Sequence, residues 1–214
     1  MLTCEILRGL SQRVSRVADP RASCYEPAPV SRCVLALAMI AGCQGKSEPD
    51  PPRPPPPAIE ARANGTTIAH IVDGHPCRAD VGGEELMIGT MPLVAQVGNH
   101  RWSGDDIDDG TTLRKDGVAI VRLRDLADAS VEVFDPHGVA ILRVSADGSV
   151  ADSHGEIVRR VEATPAALKI GDSVVTGTSD LALGVLVTAP ELIPEVRALA
   201  ACRRLFAREQ AARK

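Results

Sequence analysis

The chain has 214 residues, 44% of them hydrophobic and 2% aromatic, with a formal net charge of -4. Five of the 24 basic and three of the 28 acidic residues precede Cys43, so the portion from Cys43 onward carries -6. That balance lacks the basic face on which nucleic-acid binding and charge-driven adsorption to anionic lipid rely, and the aromatics beyond Cys43 (Trp102, Phe134 and Phe206) are too few for a base-stacking platform.

Residues 1–29 are a mixed, Arg-containing stretch without an amphipathic period. The apolar run that follows, Cys33 to Cys43, is preceded by Arg32 and ends in Ala41-Gly42-Cys43. It is too short to span a bilayer, which takes roughly 20 apolar residues, and suits the apolar core of an export signal, about 7–15 residues long. A charged segment ahead of such a core spans only a few residues, so translation is expected to begin near Val30 rather than at Met1. Ile40-Ala41-Gly42-Cys43 resembles the lipobox of bacterial lipoproteins: a branched apolar residue, a small residue, Gly or Ala, then Cys. The resemblance covers the signal alone. It implies a diacylglyceryl group on Cys43, cleavage before it and acylation of the new amine, so residues 1–42 are expected to be an N-terminal extension and export signal. Two or more acyl chains give stable membrane anchoring. Gln44 favours the outer over the inner membrane, with the domain in the periplasm or at the cell surface.

Residues 43–57 form the tether, with Gln44 to Pro57 reading QGKSEPDPPRPPPP. Proline lacks the N–H and fixes φ, so this stretch predicts a semi-rigid, polyproline-type spacer of about 3.1 Å per residue.

Residues 58–214 are expected to form one β-rich domain with a C-terminal helix. Short apolar runs are punctuated by Gly, Asp and Pro. Four segments share one pattern: Met91–Val97, Gly117–Leu123, Gly138–Val144 and Gly155–Val161. Asp135-Pro136-His137-Gly138 recurs seventeen residues on as Asp152-Ser153-His154-Gly155. An Asp that bonds forward to the backbone and a closing Gly make each a turn feeding a half-buried strand. The copies start at irregular intervals, which excludes a strict solenoid and predicts an antiparallel meander, roll or small barrel. Gly98 to Gly110 is expected to be a connecting segment with an acidic loop at Asp105, Asp106, Asp108 and Asp109. Toward the C-terminus, Ser179 is expected to cap a two-turn helix. Pro190 and Pro194 each suit a first helical turn, and a long helix follows from Glu195. Val196, Leu199, Cys202 and Phe206 share one face of it, which should pack on the sheet.

Three cysteines lie in or before the signal and Cys43 takes the lipid. Cys77 and Cys202 are left as the pair for a disulfide in an oxidising compartment, the alternative being two buried thiols. The acidic loop offers carboxylates for Ca²⁺, although Ile107 sits where a helix-loop-helix site needs an oxygen ligand. Asp135/His137 and Asp152/His154 are candidate metal ligands. Neither Ser173 nor Ser179 sits in a G-x-S-x-G elbow, and there is no phosphate-binding glycine loop. No catalytic residue and no resident cofactor is therefore assigned. The expected function is a lipid-anchored envelope protein whose β-rich module binds another envelope protein or serves structurally. The alternative is an envelope hydrolase or metal-dependent enzyme using the His70–His75 region or the paired turn histidines.

Overall fold

The computed structural model describes residues 57–107 and 110–213; the signal, Cys43 and residues 44–56 of the tether lie outside these residues. The alternation of apolar and polar residues becomes a succession of short strands: β1 (Ala58–Ala63), β2 (Thr66–Val72), β3 (Cys77–Val81), β4 (Glu84–Thr90), β5 (Leu93–Val97), β6 (His100–Ile107) and β7 (Gly110–Lys115). These continue as β8 (Val118–Asp125), β9 (Val131–Phe134), β10 (Ala140–Val144), β11 (Ser149–Ala151), β12 (Ile157–Ala163), β13 (Leu168–Ile170) and β14 (Ser173–Thr176). Each pairs antiparallel with its neighbours in sequence, and β1 pairs with β14, so the meander closes into a barrel. The expected antiparallel barrel with C-terminal helices is what forms. The repeated segments supply β5, β8, β10 and β12. The last three are not paired with one another; a returning strand lies between each two, because these three start from turns on the same rim.

Antiparallel alternation gives the barrel two rims. At the distal rim most connections are two-residue turns. Asn64-Gly65 and Asp116-Gly117 carry φ values of 50°, 80°, 51° and 82°, the doubly left-handed geometry that joins twisted strands and that Asn-Gly and Asp-Gly adopt most readily. The turns after Asp135 and Asp152 also lie on this rim. The chain joins at the opposite, proximal rim, where Pro57 O accepts the Asp73 N–H at 3.3 Å.

One expectation about the wall is corrected. Gly98 to Gly110 is not mainly a loop: its residues from His100 to Ile107 form β6, and Asp105 and Asp106 pair with Thr112 and Thr111. Cross-strand pairing with the Thr-rich β7 carries the ladder into the acidic run. Asp108 and Asp109 lie outside the described residues.

Inward positions are apolar and buried, among them Ile59, Ile71, Ile88, Trp102, Leu113, Val133 and Leu142. Outward positions such as Arg78, Asp80, Glu85, Arg101 and Arg143 are exposed. A barrel that crosses a membrane needs the reverse, an apolar outer band on strands of about 9–11 residues. These strands have 3 to 8 residues.

Eight strands already enclose an interior that side chains just fill, so a fourteen-stranded wall leaves a lumen that needs more. Two helices fill it. Helix α1 (Leu181–Thr188, LALGVLVT) is buried from Ala182 to Thr188, as a helix apolar all round must be. It packs on β1, β2, β10, β12 and β13. Its cap is Asp180, whose carboxylate accepts the Leu183 N–H at 3.1 Å. The expected cap, Ser179, stands one residue too early, and the carboxylate that reaches the open N–H is the next one along. Pro190 starts no helix; it lies in the connection to α2 (Pro194–Ala212), which has Pro194 in its first turn. Pro194 sits over Gly82 of the distal β3–β4 turn, so α1 descends from the proximal rim and α2 climbs back. Val196, Leu199 and Cys202 of α2 are buried, and Cys202 is bridged to Cys77 on β3. Both cysteines are 0–1% exposed; the bridge staples the helical hairpin to the wall.

Candidate functional site

The helix ends bring unpaired backbone groups and charges to the proximal rim, and the densest polar chemistry of the described residues lies there. Arg204 projects from α2 at 11% side-chain exposure. Its Nε and Nη2 donate to the Asp180 carboxylate at 2.8 and 3.0 Å, and its Nη1 donates to Asp125 at 2.8 Å. Arg203 reaches Asp125 and the Thr111 hydroxyl, and Asp106 accepts from Thr111 at 2.5 Å. Arg208 approaches Asp180 at 3.5 Å. Three guanidinium groups thus face Asp106, Asp125 and Asp180. A cleft of about 340 Å³ opens beside them between Ser145, Ser179 and Arg208. With cations and carboxylates matched, this cluster locks the hairpin into the barrel mouth.

One turn further along α2 stands a second cluster. His75, in the β2–β3 connection, has Nδ1 2.7 Å from the Thr90 hydroxyl at the end of β4. Its Nε2 lies 2.7 Å from Glu209 of α2. The imidazole meets the Phe206 ring edge-on at 5.5 Å, and Arg213 donates to the other Glu209 oxygen at 2.5 Å. The imidazole first, and then Arg213, hold the Glu209 carboxyl below the usual carboxylate range. A carboxylate can only accept, so Nε2 carries the hydrogen and, in the neutral ring, Nδ1 is bare. The Thr90 hydroxyl must then donate to it. A cleft of about 470 Å³ opens here, lined by His75, Pro76, Gly89, Thr90, Met91, Phe206, Gln210 and Arg213.

The residues singled out in the sequence fare differently. Asp105 is held by Arg114 at 2.7 Å, and Asp106 belongs to the mouth lock. His137 and His154 sit at equivalent places in neighbouring distal turns and are exposed. Their aspartates do what the turn demands: Asp135 accepts the His137 and Val139 N–H groups, each at 2.8 Å, and Asp152 accepts those of His154 and Glu156 at 2.8 and 3.0 Å. The His154 N–H holds the Asp152 carboxyl below its ordinary range. Among the described residues no group of three His, Cys, Asp or Glu side chains is placed to hold a metal ion. His70 lies in a shallow outer groove with Arg78, Asp80 and Glu85, away from His75. His100 pairs with Asp116 at 2.6 Å and lowers its pKa, with help from the Arg101 N–H. Thr90, Glu209, Asp125, Asp180 and Arg204 carry no motif. The sequence signals near them were the His70–His75 region, the helix start at Ser179 and the strongly helical, Arg-rich run from Glu195 onward. Comparison of the chain with protein-family models, with characterised proteins and with solved structures found no significant match.

Proposed function

We propose that this protein is a lipid-anchored protein of the bacterial cell envelope, held by acyl chains on Cys43, whose barrel serves as a rigid binding or structural module for another envelope protein. The observation that carries this reading is how the cysteines are used. From Cys43 onward there are three. One stands at the lipobox position, and the other two make a buried disulfide, a bond that persists in oxidising compartments. The outer membrane is the favoured destination, on the strength of Gln44. What supports a module that works through its surface is that the two helices occupy the lumen and outward positions such as Arg78, Asp80, Glu85, Arg101 and Arg143 are exposed. Lipid attachment is the test. Cells expressing the protein and fed radiolabelled palmitate should label it, and Cys43→Ser should abolish the label and leave the signal uncleaved. A labelled Cys43→Ser protein refutes the anchor. Crosslinking in intact cells should then trap the protein with an envelope partner, and a protein that only ever crosslinks to nothing refutes the binding role.

A further inference from the structure

We propose that the His75 cleft is an acyl-transfer site in which Thr90 is the nucleophile, His75 the general base and Glu209 the group that orients and stabilises the imidazolium. Glu209 accepts from Nε2 at 2.7 Å, which leaves Nδ1 to accept the Thr90 proton at 2.7 Å. A hydroxyl, a base and a third group that fixes the base are the parts that nucleophilic catalysis requires. Here three distant segments supply them: the end of β4, the β2–β3 connection and the last turns of α2. The bridge between Cys77 and Cys202 pins the two segments that carry the base and the carboxylate, two residues after His75 and seven before Glu209.

The cleft beside the hydroxyl is open to solvent, since Met91 is 74% exposed. It has apolar walls in Pro76, Met91 and Phe206, with Gln210 and Arg213 as polar ones. It suits a carboxylic ester with a modest apolar group. Thr90 Oγ1 adds to the ester carbonyl carbon while its proton passes to His75 Nδ1. The tetrahedral adduct then expels the alcohol, which takes that proton, and leaves the acyl group on Thr90. Water repeats the sequence, releasing the carboxylic acid and restoring the hydroxyl.

This site does not depend on the anchor at Cys43, and its test reads a different atom. The full chain, purified in detergent, is treated with an alkyl fluorophosphonate, which forms a P–O bond to an activated hydroxyl and releases fluoride. Peptide mass mapping should place the adduct on Thr90. Thr90→Val should remove it, Thr90→Ser should keep it, and Glu209→Gln should slow its formation by about 10²-fold or more, in line with the loss of a general-base arrangement. The same order should appear in 4-nitrophenyl acetate turnover. Melting temperature is followed in parallel. No adduct on Thr90 overturns the proposal, as does an adduct that forms equally fast in Glu209→Gln. Variants that lower the melting temperature of a protein that never labels would make the cluster a clasp for α2 and would equally overturn it.

Discussion

Replacing Arg204 with Met keeps the length and apolar stem of the side chain and removes every hydrogen bond of its guanidinium. Asp180, 7% exposed, would keep the Leu183 N–H and the distant Arg208 as its partners. Asp125 would fall back on Arg203, and the Ala129 carbonyl would lose the donor it has at 3.2 Å. Removing one member of a buried ion pair costs about 3–5 kcal/mol, mostly because the remaining charge is stranded. In a domain of this size that corresponds to a fall in melting temperature of roughly 6–20 °C. Asp180→Asn keeps a good helix cap and removes the charge, so it should cost less. The double variant should cost about 0.5–3 kcal/mol less than the sum of the singles, the range expected for directly coupled neighbours. Guanidinium chloride unfolding of the oxidised protein, with the midpoint and slope fitted separately, reads all three. If Arg204→Met cost under about 1 kcal/mol, as an exposed pair would, the mouth lock would not hold the hairpin and the account of the plugged lumen would fail.

Reduction should be costly too. Cys77 and Cys202 are 125 residues apart, and a bridge closing so long a loop contributes about 4–5 kcal/mol on the chain-entropy account. Cys77→Ala with Cys202→Ala should lower the denaturation midpoint accordingly, and an unchanged midpoint would contradict the staple. Gly184 of α1 lies against β13, where an added Cβ would sit 2.8 Å from Leu168 Cδ1 and 3.2 Å from Ile170 Cδ1. Gly184→Ala gains about 1 kcal/mol of helix propensity and loses about 1–3 to overpacking. It should be neutral to destabilising in thermal melts, and clear stabilisation would mean that α1 is not packed on the wall. The carboxyls of Glu60, Asp116, Asp152 and Glu209 are all held below their usual values by hydrogen bonds and by His or Arg neighbours. Depressed folded-state values add stability above the ordinary carboxylate range, near pH 4, and that stability is lost as the pH falls through them. The melting temperature should therefore fall as the pH is lowered below about 4; a rise over that acid range would contradict the sign.

What could be read from the chain without its structure was whatever is encoded over a few residues. Asp135 and Asp152 bond forward to the backbone as the Asp-x-x-Gly spacing requires, and β8, β10 and β12 follow from turn glycines and alternating apolar residues. The long helix and the Cys77–Cys202 pairing were legible because few alternatives existed. Strand count was not, since β9, β11 and β13 are short and carry no shared pattern. The place of α1 was hidden for a related reason: an apolar octapeptide looks alike under a sheet and inside a barrel, and the number of strands decides which. His75 and Glu209 are separated by 134 residues, and Arg204 and Asp125 by 79. Pairings over such distances follow from closure of the barrel, which no local spacing records.

Closure also explains why the chemistry collects at one rim. The distal rim is sewn largely by two-residue turns whose backbone groups satisfy one another, and it receives only the short link between the helices. The proximal rim receives the start of α1 and the end of α2, the ends at which a helix leaves N–H and C=O groups unpaired. The Asp180 carboxylate answers the first need. Arg203, Arg204 and Arg208 of α2 come to this rim as the helix climbs to its end. Those cations in turn recruit Asp106 and Asp125 from the wall, and Glu209 meets His75 because α2 must come to the rim to end. A cleft with charged walls at this mouth is thus a consequence of filling a wide barrel with a helical hairpin. The chain enters the barrel at the same rim, through Pro57 and β1, so the helix ends, the charged cluster and the His75 cleft all lie on the side where β1 begins.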